Sequence, residues 1–156
     1  MKEIISFDEP ITKNDLFYLC YIIEKTARKI HQTNKYVVNT IGENELYRLI
    51  CNASVLHCEN PQKTVSDLIK DYNLVEGTFN ISNVDKELCS KIPSETSIGK
   101  VYMRLITDTM LSDEDYVQGL IRIYNDPICE VIDNYNCSAY YEPSYFIARA
   151  YYNGGF

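Results

Sequence analysis

The chain has 156 residues, of which 46% are hydrophobic, and a net charge of −7. That is enough apolar material for a packed interior, which excludes wholesale disorder, and no apolar run reaches the 18 residues needed for a membrane span. Residues 1–77 hold nine Lys/Arg against eleven Asp/Glu and residues 78–156 hold six against eleven, so a nucleic-acid-binding face would have to be carved from an acidic total.

The opening ten residues alternate charge with apolar side chains and lack the basic-then-apolar plan of a secretory signal. Thr12-x-x-Asp15 then forms a near capping box. Behind it Leu16, Leu19, Cys20, Ile23, Ala27 and Ile30 recur at three- and four-residue steps, which predicts a helix over 14–31. Phe17, Tyr18, Tyr21 and Ile22 widen that stripe, so this helix is expected at the centre. Asn34 is the expected cap of a short helix over 35–41, ended by Gly42. Leu46, Leu49, Ile50 and Ala53 mark a helix over 43–56. Asn60-Pro61 starts another, because asparagine accepts from orphan amides and proline has no N–H to leave unpaired. Val65, Leu68, Ile69 and Tyr72 face inward from it.

Glu76 to Ile81 reads as extended and is the natural break between two sub-halves, 1–77 and 78–156. Ser82-x-x-Asp85 announces a short helix with Val84 and Leu88 inside. Ser94 or Thr96 caps the next, burying Ile98, Val101, Tyr102, Leu105 and Ile106. Ser112 followed by three acids is a strong helix start, with Val117, Leu120, Ile121 and Tyr124 behind it. Asp126-Pro127 repeats the cap-then-proline device ahead of Ile128, Val131, Ile132 and Tyr135. Pro143 opens the last helix, which carries Phe146, Ile147, Ala150 and Tyr151 and ends at Gly154-Gly155. Period-two alternation and Asn-Gly hairpin turns are absent from the sequence. The expectation is an all-α single domain, a compact bundle of about eight or nine short helices.

Motifs for chemistry are few. His57-Cys58-Glu59 looks like a nucleophile beside a base and an acid, but helical neighbours point about 100° apart and do not meet as a hydrogen-bonded trio. His57 is therefore read first as a side chain suiting a helix C-terminus, and an enzyme site around it is kept as an alternative. Six cysteines without Cys-x-x-Cys spacing, and two histidines 26 residues apart, point to reduced thiols in a cytoplasm and to no metal. Residues 35–50 have the outline of a helix-turn-helix, the second alternative. Glu43 and Glu45 sit where that motif would meet phosphates, which argues against it. The spaced acids Glu130 and Asp133, and Asp85 and Glu87, match no catalytic or metal-loop pattern and read as solvated faces. No cofactor-binding motif is present.

Tyrosine is the compositional outlier. Nine of fourteen lie after residue 100, and Tyr140, Tyr141, Tyr145, Tyr151 and Tyr152 crowd the last 17 residues. Arg149 follows Tyr145 by one helical turn. Such residues either line a core with their hydroxyls at its edge or offer stiff contact area to a partner. Tyr140, Tyr141, Tyr145 and Arg149 are the candidate protein-binding residues.

Phe17-Tyr18-Leu19-Cys20-Tyr21-Ile22-Ile23-Glu24, Val55-Leu56-His57 and Val65-Ser66-Asp67-Leu68-Ile69 together resemble a family of small uncharacterised bacterial helical proteins. That family carries an aromatic-apolar-Cys-Ile-Glu opening, a Leu-His-Thr joint and a Tyr-Ile-x-x-Asp-Ile close. The likeness covers residues 17–72, and Cys58 stands here in place of the joint's threonine. Its members are often encoded beside ADP-ribosyltransferase-like toxins. The resemblance implies an antitoxin or immunity-type accessory protein of a bacterial cytoplasm, whose partner is another protein such as a toxin.

Overall fold

The computed structural model describes residues 10–156; residues 1–9, and with them most of the charge-alternating opening, lie outside the described residues. Among the described residues there are nine α-helices, one short 3₁₀ turn and no strand. None of the helices is long and apolar enough to cross a membrane.

Helix α1 (Lys13–Lys29) is the axis of the bundle. Its capping box forms as expected: Asp15 N donates to Thr12 Oγ1 at 3.3 Å, and Thr12 N donates to Asp15 Oδ2 at 2.9 Å. Leu16, Tyr18, Leu19, Cys20, Ile22, Ile23 and Ala27 are all buried, so the widened stripe does place this helix centrally. Around it lie α2 (Asn34–Ile41), α3 (Glu43–Cys51), α4 (Ala53–Leu56) and α5 (Pro61–Asp71). Thr33, not Asn34, caps α2, its hydroxyl accepting from Tyr36 N at 3.2 Å. Asn34 falls inside the first turn and is buried. The expected helix over 43–56 is broken at Asn52, whose N–H doubles back to Arg48 O and Leu49 O. Asn60 and Pro61 begin α5 as read, with Asn60 Oδ1 accepting from Gln62 N at 3.0 Å.

Glu76 to Ile81 is extended but does not separate two packing units. It is a strap tied across the end of α1. Gly77 N donates to Ile30 O at 2.8 Å and Phe79 N to His31 O at 2.9 Å. Gly77 is required there, because a Cβ would stand 2.7 Å from the His31 carbonyl oxygen. The helix expected after Ser82 is replaced by turns, and Leu88 is 66% exposed. Side-chain acceptors have taken its first amides: Asn80 Oδ1 holds Ser82 N, Asn136 Oδ1 holds Asp85 N and Asp85 Oδ1 holds Glu87 N. Cys89 enters the core instead.

Helix α6 (Glu95–Thr109) starts on Ser94 and packs along α1 more extensively than any other pair of helices. Gly99 makes this close approach, since a Cβ would lie 3.1 Å from the Tyr21 backbone. Helix α7 (Tyr116–Tyr124) is capped by Asp115 in a box with Gln118, three residues later than the Ser112 start expected. Asp126 Oδ1 accepts from Ile128 N ahead of α8 (Ile128–Ile132). Helix α9 (Ser144–Asn153) ends on left-handed Gly154. One core runs from Leu16 to Ala150 and draws on residues from both sides of the strap.

Candidate functional site

The C-terminal tyrosines divide by burial. Tyr141 is 84% exposed, and Tyr145 and Tyr152 are each 65% exposed, with Arg149 also exposed and lining one shallow depression with Tyr145 and Tyr152. Phe146, expected inside, is 38% exposed and lies 6.1 Å, ring to ring, from half-exposed Phe156. Tyr140 departs from the candidate set: its ring is half-buried edge-on to Tyr135 at 5.2 Å, and its hydroxyl lies 4.0 Å from Cys89 Sγ. Tyr151 is committed inward as well, accepting from Arg122 Nη1 at 2.9 Å. Beside Tyr141 a groove of about 530 Å³ runs between α6 and α9, floored by Ile98, Val101, Leu105 and Ile147. Exposed aromatic rings, an arginine and an apolar cleft therefore share one flank.

His57 is exposed and stacks on Tyr18, ring centroids 5.0 Å apart. The Tyr18 hydroxyl donates to Leu56 O at 3.1 Å, so the pair fastens the end of α4 to α1. Cys58 Sγ donates to Ser54 O and does not meet the imidazole in a hydrogen bond. On α3, Arg48 is paired with Glu45 at 3.2 Å, and the Tyr47 hydroxyl donates to Asp115. The outer face of the helix-turn-helix outline is thus led by Glu43 and Asn44, with its arginine already neutralised. Among the described residues no group of three His, Cys, Asp or Glu side chains is arranged to hold a metal ion.

A buried polar cluster was not anticipated. Glu24, 1% exposed, sits on the inner face of α1 and pairs with Arg28 one turn on, Nε to Oε2 at 3.2 Å. Asn34 Nδ2 donates to Glu24 Oε1 at 3.2 Å and to Asp133 Oδ2 at 3.4 Å. Tyr102 OH donates to Asp133 Oδ1 at 2.6 Å. Arg28 Nη2 reaches Pro93 O at 2.8 Å and Tyr135 OH at 2.9 Å. Asp133 is therefore not the solvated acid of the sequence reading, although Glu130 is exposed. Burial pushes the Glu24 and Asp133 carboxyls above the usual carboxylate range; Arg28 opposes the rise at both, and the charge of Glu24 adds to it at Asp133. A signal for Glu24 existed: an acid inside the widest apolar stripe, with an arginine four residues later. Asp133 carried none, because its partners come from α2 and α6, 99 and 31 residues away in the chain.

Above this cluster, between the strap and α7–α8, opens a cavity of about 350 Å³ walled by Phe79, Ile81, Tyr124, Cys129 and Tyr135. Asp126, Glu130 and Asp133 also line it, with Lys35 from α2. Its volume is that of a small ligand site, at the lower end of the usual range.

No protein-family model, curated protein or solved structure matches the chain.

Proposed function

We propose that this protein acts by binding another protein, through the surface formed by Tyr141, in the turn before α9, and by Tyr145, Arg149 and Tyr152 of α9. The observation that carries the reading is the exposure of those rings, clustered on one flank beside an apolar groove. Contiguous exposed aromatic surface costs solvation unless a partner covers it. Tyrosine and arginine supply most of the binding energy in such contacts because they bring large area with few rotors to freeze.

The charges around this face are mixed: Lys91, Arg104 and Arg149 stand against Asp108 and Glu142. Local charge does not repel an acidic partner here, whatever the net −7 of the whole chain implies. The resemblance of residues 17–72 supports the narrower form of the reading, in which the protein is a cytoplasmic antitoxin or immunity-type accessory and the partner is a toxin.

The test is a pull-down from the native host with wild-type protein and with a Tyr141→Ala/Tyr145→Ala/Arg149→Ala variant. These side chains are exposed, so the variant keeps the wild-type melting temperature. Loss of about 2 kcal/mol at a central contact weakens binding roughly 30-fold, which removes a retained partner from the eluate. A partner captured equally by both proteins places the contact elsewhere.

A further inference from the structure

We infer that the groove between α6 and α9 receives an amphipathic helix of the partner protein, apolar on one face and carrying Asp or Glu beside that face. The inference rests on the reading of this flank as a protein-binding surface, and names what the surface binds.

The floor of the groove sets the shape of the occupant. Ile98, Val101 and Leu105 of α6 line it at three- and four-residue steps, and Ile147 of α9 lines it with them. From Ile98 to Leu105 the floor runs for about 10 Å along the helix axis. A helix lying in a groove presents anchors at i, i+3 or i+4, and i+7 over that same length. An extended segment would instead add itself to a sheet edge, and among the described residues there is no strand to offer one.

The rim sets the charge. Of the five arginines in the chain, Arg28 is paired with Glu24, Arg48 with Glu45 and Arg122 with Glu114. The other two, Arg104 and Arg149, are exposed and make no ion pair among the described residues. Both stand on this flank, Arg104 lining the groove and Arg149 the depression beside it. With Lys91 they set three cations against Asp108 and Glu142, a local positive excess on a chain of net charge −7. Helix α9 opens between the two arginine sites: Ser144, its first residue, lines both the groove and the depression. No side chain caps that end and no acid lies in its first turn, so its dipole adds to the positive potential there. Guanidinium groups take carboxylates through two parallel N–H···O bonds, a geometry that a partner's Asp or Glu supplies. A nucleic acid also brings anions, but the net charge of the chain opposes it and the apolar floor offers its phosphates nothing.

Three fluorescein-labelled peptides, titrated into the full chain at physiological salt and followed by anisotropy, test this. One is a lactam-bridged helix with Leu at i, i+3 and i+7 flanked by Glu, the second is its twin with Lys for each Glu, and the third is the Glu peptide broken by a central Pro. The Glu helix is expected to bind saturably and 1:1, and the other two about tenfold more weakly. Amide chemical shifts are expected to move at Ile98, Val101, Leu105 and Ile147. Arg104→Glu/Arg149→Glu changes only exposed side chains and is expected to reverse the order, preferring the Lys twin. No binding of the Glu helix, equal affinity for the Glu and Lys twins or for the Pro-broken peptide, or an unchanged order in the charge-swapped variant would each overturn the inference. The pull-down separates that failure from failure of the surface itself. A native partner held by wild type and lost from Tyr141→Ala/Tyr145→Ala/Arg149→Ala, with no binding of the Glu helix, keeps the surface and removes the acidic helix as its occupant. A partner held equally by both proteins removes the surface.

Discussion

Arg28→Met tests the buried ion pair on which the centre of the bundle rests. Methionine keeps the length and helix propensity of the side chain and deletes its charge and hydrogen bonds. Glu24, its side chain 2% exposed, would lose the Nε contact at 3.2 Å; Pro93 O and the Tyr135 hydroxyl would lose donors at 2.8 and 2.9 Å. Removing one partner of a buried pair costs about 3–5 kcal/mol, because the remaining charge is left without compensation. With a shift of about 2–4 °C per kcal/mol for a chain of this size, the melting temperature falls by roughly 6–20 °C. The loss depends on pH in a definite direction. Without Arg28 the Glu24 carboxyl, already raised by burial, rises further in the folded state. A carboxyl raised on folding contributes stability that is complete below its unfolded pKa and is lost as pH rises through its folded pKa. The deficit of Arg28→Met relative to wild type is therefore smaller at pH 5 than at pH 8, with a slope of at most ~1.4 kcal/mol per pH unit. Urea unfolding followed by circular dichroism at both pH values measures it, and Glu24→Gln/Arg28→Met is expected to recover part of the loss. A deficit below about 1 kcal/mol, or one equal at both pH values, would refute the account of Glu24 as a buried carboxylate held by Arg28.

Three further outcomes are expected. Arg122 donates from Nε and Nη2 to Glu114 at 2.9 and 2.7 Å, and these bonds hold the Glu114 carboxyl below its usual range despite partial burial; Glu114→Gln costs about 1–2 kcal/mol at pH 7, and the gap from wild type closes as pH falls through the folded pKa of Glu114, read by denaturant titration from pH 7 to pH 2. Gly99→Val drives a side chain into the Tyr21 backbone, where even a Cβ has only 3.1 Å, and lowers stability by about 1–3 kcal/mol or more by prising α6 from α1; wild-type stability in a thermal melt would show that the helices can part there freely. Of the six free cysteines, Cys51, Cys58 and Cys137 are exposed and Cys20, Cys89 and Cys129 buried, so an aromatic disulfide reagent titrates three thiols quickly in native protein and the other three only on unfolding, as Cys20 is pushed up to about 12 by burial.

Residue spacing alone determined that the chain is all-helical, where α1 lies, how α5 begins, and how α9 begins and ends, because caps, prolines and three-to-four periodicity act within one or two turns. It also determined that α1 would be central, since a helix apolar around most of its girth has nowhere else to go. Only the tertiary structure decided the rest. Ser82 to Leu88 carry helix signals, yet Asn136, 51 residues from Asp85, holds the amide that a Ser82 cap would have taken. Tyr140 and Tyr141 are neighbours of identical chemistry, and only the position of Tyr135 and Cys89 turns one inward and leaves the other in water. Asp133 reads as a surface acid until α2 and α6 bring Asn34 and Tyr102 to it. Local free energy is written in adjacent residues, whereas the cost of burying a charge depends on which distant groups arrive to meet it.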